Sequence, residues 1–175
     1  MISILLYYLL NKYYDFGFER KIAYNYVSLT HAFLCILFYF ISFNYLRFNS
    51  IGYFIYDSIY ILNEKKINFI NLCYLYHHFI LTYLLFLEIK EISFVLMLGE
   101  LSNIPTYIVY YFIQIEDQEN KEMWLVIQKI SYISIRVFAF TYILLMSDIN
   151  DWYMKNLYII YIFGIIWSYK LLTNK

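Results

Sequence analysis

Read for hydrophobic and polar positions, the chain is a series of long apolar runs separated by short charged stretches. The runs cover residues 2–14, 22–43, 51–62, 67–87, 92–115, 123–146 and 152–172. A helix needs about 20 mostly apolar residues to cross the hydrocarbon core of a bilayer. The second run and the last four meet that length, and the fourth has no Asp, Glu, Lys or Arg at all. The run over 51–62 is short and carries Asp57 but is counted as a span; the run over 2–14 is marginal. No basic residue precedes that first run and no small-residue cleavage site follows it, which argues for a membrane segment over a signal peptide. No run alternates between apolar and polar residues as a barrel strand would, so the expected fold class is all-α: a polytopic integral membrane protein with six to seven transmembrane helices.

Composition agrees with the pattern. Of 175 residues, 63% are hydrophobic and 15% charged, and the mean hydropathy is +0.57. A water-soluble domain carries about 25% charged residues. Thirteen Lys and Arg balance thirteen Asp and Glu, so no basic field exists to attract nucleic acid. The 23 Tyr suit repeated crossings between hydrocarbon and headgroups, because the ring is apolar and the hydroxyl is not. Codon bias toward AT-rich triplets would enrich Tyr, Phe, Ile, Asn and Lys together, so the aromatic excess is assigned no mechanism.

The positive-inside rule sets an orientation. With seven spans, one side receives Lys12, Arg20, Lys21, Lys65, Lys66, Lys121, Lys170 and Lys175, and the other Arg47, Lys90 and Lys155. That places the C-terminus in the cytosol and the N-terminus on the far side. The acidic stretch 116–122 reads as a solvated loop. No composition shift or internal repeat marks a second domain.

An ionisable side chain at mid-bilayer costs about 2.5–3.5 kcal/mol on insertion scales, so each one requires a reason. Those inside the runs include His31, Asp57, His77, His78, Glu100 and Arg136, with Asn103 and Gln128 as uncharged companions. His77 and His78 point about 100° apart on a helix, so one can face a cavity while the other is held by a neighbour. Glu100 and Asn103 share a helix face. If the fourth and fifth spans pack antiparallel, Glu100 can orient a histidine, fixing its tautomer and raising its basicity. Asp57 and His31 lie at depths that could converge on the same centre. Such a cluster suits a general base or an acyl acceptor. The structural readings stand beside it: intramembrane histidines also serve as interhelical packing residues, Asp57 could pair with Arg136, Lys129 can snorkel, and Gln128 can tie two helices. The histidines lack the i, i+3 or i+4 spacing of metal ligands, and Cys35 and Cys73 read as small hydrophobes, so no metal site is expected.

Several short strings recur in the order seen in one family. They are Val27-Ser28-Leu29-Thr30-His31-Ala32, Gly52-Tyr53-Phe54-Ile55-Tyr56-Asp57, Tyr76-His77-His78-Phe79, Gly99-Glu100-Leu101-Ser102-Asn103-Ile104-Pro105 and Ile135-Arg136-Val137. Together they resemble the TLC-domain family, which includes the ceramide synthases and smaller TLC-domain membrane proteins. The resemblance covers about residue 20 to the end, dividing the chain into a short N-terminal transmembrane segment over 1–19 and a TLC domain over 20–175. It implies a six-helix bundle or barrel around a narrow chamber plus the N-terminal helix, in the endoplasmic reticulum or another secretory-pathway membrane, with a lumenal N-terminus. It also implies action on membrane lipids and long-chain acyl groups, with no cofactor beyond acyl-CoA as a co-substrate. Carried onto this chain, His77, His78, Glu100 and Asp57 would be catalytic, and His31, Asn103 and Arg136 would bind substrate. Glu100 and Asn103 stand where the synthases carry an Asp-x-x-Asp pair. Two functions are therefore expected in competition: acyl transfer through the paired histidines, or non-catalytic lipid binding that regulates membrane composition.

Overall fold

A computed structural model describes residues 2–63, 67–90, 92–146 and 152–173. These form seven helices and, among the described residues, no strand. They are α1 (Ile2–Gly17), α2 (Arg20–Ile41), α3 (Phe43–Leu62), α4 (Phe69–Phe86), α5 (Ile92–Gln114), α6 (Gln118–Met146) and α7 (Trp152–Thr173). Five of them, α2, α4, α5, α6 and the Lys155–Thr173 part of α7, are long and apolar enough to cross a membrane. That is the make-up of a multi-pass membrane protein. It is one span fewer than the six expected, and the difference lies in α3.

Helix α3 begins at Phe43, well before the apolar run that predicted it. Its 20 residues reach about 30 Å at 1.5 Å per residue, enough to span. Asn44, Arg47, Asn49, Ser50, Asp57 and Ser58 make it too polar to be counted. The polarity has a packing reason, since α3 is the central helix of its surroundings and packs against α1, α2 and α4. Asn49, Ser50 and Asp57 are buried against protein. Helix α1, with 16 residues, extends only about 24 Å. Of the charges that set the predicted orientation, Lys65, Lys66 and Lys175 lie outside the described residues.

The chain divides into two compact units, Met1–Met97 and Leu98–Lys175. In the first, α2 passes into α3 through the single extended residue Ser42, whose N–H bonds to Phe38 O and whose O accepts from Leu46 N. Helix α4 starts under an N-cap, with Asn68 accepting from the Asn71 N–H at 2.9 Å. Where α1 crosses α3, Gly52 leaves no room: a Cβ there would collide with the Ser3 side chain and sit 2.8 Å from its backbone carbon. In the second unit, α6 is capped by Asp117 and contains a π-helical stretch, Ser134–Ala139, that packs on α7. The outward faces of both units carry large apolar side chains, Phe16, Phe40, Phe69 and Leu145 among them, as lipid-facing helices do.

Candidate functional site: a buried His-Asp pair and a buried arginine

The first unit gathers its polar residues along α3. Asn49, Tyr53 and Asp57 are four residues apart, so they form one stripe. Tyr24, Ser28 and His31 form the facing stripe on α2. Between them lies a continuous set of hydrogen bonds. The Tyr53 hydroxyl donates to Ser28 Oγ at 2.9 Å, and Ser28 in turn donates to the Tyr24 carbonyl at 3.2 Å.

At one end of the stripe is His78 from α4. Its Nδ1 lies 3.4 Å from Asp57 Oδ2 and 3.5 Å from Ser58 Oγ. The second carboxylate oxygen of Asp57 accepts from the Tyr24 hydroxyl. Asp57 and His78 are only 4% and 5% exposed, so their charges and dipoles interact with little screening by water. Phe54 stacks on the imidazole, with centroids 5.0 Å apart and planes 21° apart, and fixes its tilt. Tyr24 stacks on Tyr60 at 4.0 Å, which holds the hydroxyl on the carboxylate. If Nδ1 carries its proton toward Asp57, the basic lone pair of His78 is the one on Nε2. A carboxylate that fixes the tautomer of a histidine and stabilises its protonated form is the arrangement by which an imidazole becomes a general base. His77, one residue earlier, is half-buried and meets Phe54 edge-on at 6.3 Å.

His31 lies at the other end and is fully buried. It stacks flat on Tyr53, with centroids 3.9 Å apart and planes 7° apart. The Tyr7 hydroxyl from α1 sits 3.2 Å from His31 Nδ1 and donates to Asn49 Oδ1 at 2.5 Å. Asn49 Nδ2 is 3.3 Å from the same Nδ1. His31 thus links α1, α2 and α3 at a point where all three are packed.

The second unit holds the other expected residues. Gly99, Ser102, Asn103 and Thr106 line one face of α5. Arg136, in the π-helical stretch of α6, donates from Nε to Ser102 Oγ at 2.8 Å and from Nη2 to Gly99 O at 3.1 Å and Asn103 Oδ1 at 3.2 Å. Asn103 Nδ2 donates onward to Glu100 Oε2 at 3.4 Å. Two turns before Arg136, Gln128 ties the same helices by donating to Thr106 Oγ1 at 3.0 Å. The guanidinium carbon lies 5.5 Å from the Tyr132 ring centre and 5.4 Å from that of Phe140. The π-helical stretch carries the residue on which this polar contact turns, as such stretches often do.

Of the expected site residues, then, the first unit brings His78 together with Asp57, and His31 with neighbours from two other helices. The second unit brings Glu100, Asn103 and Arg136 together. Sequence reasoning did not single out Tyr24, Tyr7, Asn49 or Ser58, and it named Ser102 only as part of a motif. The helical spacing of Asn49, Tyr53 and Asp57 was the available signal for one of them. Among the described residues no group of three or more His, Cys, Asp and Glu converges as metal ligands do, and Cys35 and Cys73 are buried and not joined in a disulfide. Compared with protein-family models, curated proteins and solved structures, the chain matches none.

Proposed function

We propose that this is a lipid-handling membrane enzyme of the TLC type, in which His78 is the general base of an acyl transfer and Asp57 is its positioning residue. The observation that carries this reading is the buried contact of His78 Nδ1 with Asp57 Oδ2, with Tyr24 bonded to the other carboxylate oxygen. A buried carboxylate–histidine pair within an apolar helical unit suits chemistry on a substrate that arrives through lipid. In the step, the amine of a long-chain acceptor attacks the carbonyl carbon of an acyl-CoA thioester. Nε2 of His78 takes the amine proton as the C–N bond forms. The tetrahedral intermediate then expels the thiolate, breaking the C–S bond, and the imidazolium returns the proton to sulfur. The products are an amide and free CoA, and no redox partner is needed. His77 lies beside His78 on the same helix, its ring 5.7 Å from that of His78. We place the protein in the endoplasmic reticulum or another secretory-pathway membrane with its C-terminus in the cytosol, an orientation that glycosylation-acceptor tags at the two termini would report.

The test is turnover by purified protein of long-chain acyl-CoA with long-chain amines or lysolipids. It is paired with lipid profiles of cells expressing wild type or the His77→Ala, His78→Ala double variant. Loss of an amide-linked product in the variant supports the reading. Unchanged profiles, together with tightly co-purifying lipid and no consumption of thioester, would replace it with a non-catalytic lipid-binding role.

A further inference from the structure

Arg136 presents a different problem from the histidines. It is 8% exposed in a helix apolar enough to span a bilayer, and among the described residues no carboxylate lies within ion-pair distance of its guanidinium. Its stem runs between two glycines. A Cβ at Gly164 would touch its Cβ at 3.6 Å, and one at Gly99 would touch Nη2 at 3.5 Å, so the arginine occupies a slot that small residues on α5 and α7 leave for it. Three of its five N–H groups are committed, Nε to Ser102 and Nη2 to Gly99 and Asn103. The acceptors are neutral, and the Asn103 amide connects the guanidinium onward to the Glu100 carboxylate. The two N–H groups of Nη1 have no protein acceptor among the described residues, and Nη1 is not among the polar atoms sealed from the outside.

A full positive charge held rigidly at this depth, with neutral acceptors on two nitrogens and an open edge on the third, calls for an anion. We propose that Nη1 of Arg136 docks an oxyanion, either the carboxylate of a fatty acid or the phosphate of an anionic lipid headgroup. The committed Nε and Nη2 fix the plane of the guanidinium, so the anion meets Nη1 alone and accepts from one of its N–H groups. The contact is then a single charge-assisted one, giving a preference of about tenfold over a zwitterionic lipid. This site depends on the membrane reading of the chain but not on the His78 chemistry. Its test reads binding, so its failure and the failure of acyl transfer are told apart.

The full chain is reconstituted in phosphatidylcholine nanodiscs and treated with phenylglyoxal, which modifies accessible guanidinium groups. Adduct formation at Arg136 is followed by peptide mass mapping. Oleate or phosphatidate is expected to slow it about tenfold, while added phosphatidylcholine leaves it unchanged. Protection by oleate alone assigns the site to a carboxylate, protection by phosphatidate alone to a headgroup phosphate, and protection by both to either source. Equal rates with and without both anions would overturn the proposal, and where phenylglyoxal, which bridges two guanidinium nitrogens, forms no adduct at Arg136, the native mass spectrometry decides. Native mass spectrometry of Arg136→Gln supplies the second arm: a variant that keeps its helical spectrum should lose the anionic lipid that wild type retains, and equal retention would also overturn it. The wild-type protection experiment stands by itself if that variant does not fold.

Discussion

His78 and Asp57 meet Nδ1 to Oδ2 at 3.4 Å across the α3–α4 contact, and the tyrosine that completes the relay, Tyr24, comes from a third helix. Asp57→Asn keeps the shape of this pair and removes its charge. The amide can present N–H to Nδ1, favouring the tautomer that places the proton on Nε2, where the base is needed. If His78 is the base, kcat should fall by about 10²-fold or more with KM little changed. His78→Ala should lower kcat at least as far. An Asp57→Asn variant with unchanged kcat and KM would remove Asp57 from the mechanism.

Gly52 fixes how closely α1 can approach α3. In Gly52→Ala the new methyl would meet a backbone carbon of Ser3 as well as its side chain, so rotating the serine does not relieve the clash. The helices must separate, and overpacking of this kind costs about 1–3 kcal/mol. Thermal unfolding in detergent should show a lower midpoint for Gly52→Ala, with no full recovery in the Ser3→Gly background. Gly17→Ala is the control, since nothing lies within 4 Å of a Cβ there and the midpoint should hold.

The apolar runs made six of the seven helices legible to within a few residues at most ends, because a bilayer imposes length and apolarity on whatever crosses it. Helix α3 was half hidden. Its first turns carry Asn44, Arg47 and Asn49, which read as loop until α1, α2 and α4 are seen around them. His78 and Asp57 stood out as ionisable residues in apolar surroundings, whereas Tyr24 and Tyr7 were masked by a chain in which 23 tyrosines carry no individual signal. The π-helical stretch at Arg136 has no sequence mark at all, since its register is set by contacts with α5 and α7.

Tyr7→Phe removes the hydroxyl that stands between His31 and Asn49 while leaving the ring against Tyr53, with centroids 5.4 Å apart. Interhelical hydrogen bonds in membranes are worth roughly 0.6 kcal/mol on average and about 1.7 kcal/mol at most. A loss of about 1 kcal/mol in steric-trapping or denaturation measurements is expected. Because Tyr7 ties α1 to His31 of α2 and Asn49 of α3, the loss should appear as earlier proteolysis of α1.

Asp117 caps α6 from outside the membrane segments. Its Oδ1 accepts from the Asn120 N–H at 3.1 Å and its Oδ2 from the Asn120 side chain at 2.7 Å, and these bonds hold its carboxyl below the usual value of 3.8. A carboxylate with a depressed folded-state pKa stabilises above its ordinary pKa, and the contribution fades as pH falls through that value and on through the lowered one. Wild type should therefore lose stability on acidification below about pH 4. Asp117→Ala should be less stable than wild type at neutral pH, and the gap should close in acid. Unfolding midpoints measured across that range, with a gap that stayed constant, would show that the cap is not what titrates.

Asn103 accepts from Arg136 through Oδ1 and donates to Glu100 through Nδ2, so one amide serves a cation and a carboxylate that share no direct contact. Asn103→Leu keeps the bulk and leaves both without that partner, an Nη2 donor on one side and an Oε2 acceptor on the other. Leaving a buried polar group unsatisfied costs about 1–3 kcal/mol. Arg136→Met in the same background removes one of the two stranded groups, so the double variant should be less damaged than the sum of the single ones. A coupling of about 1–2 kcal/mol in a double-mutant cycle, measured as unfolding free energies in one detergent, is expected. Additive losses would mean that the amide does not mediate between Arg136 and Glu100. The same variants separate structure from ligand binding: Ser102→Ala loosens Arg136 without touching its open Nη1 edge, so it should lower stability while preserving protection of Arg136 by oleate or phosphatidate.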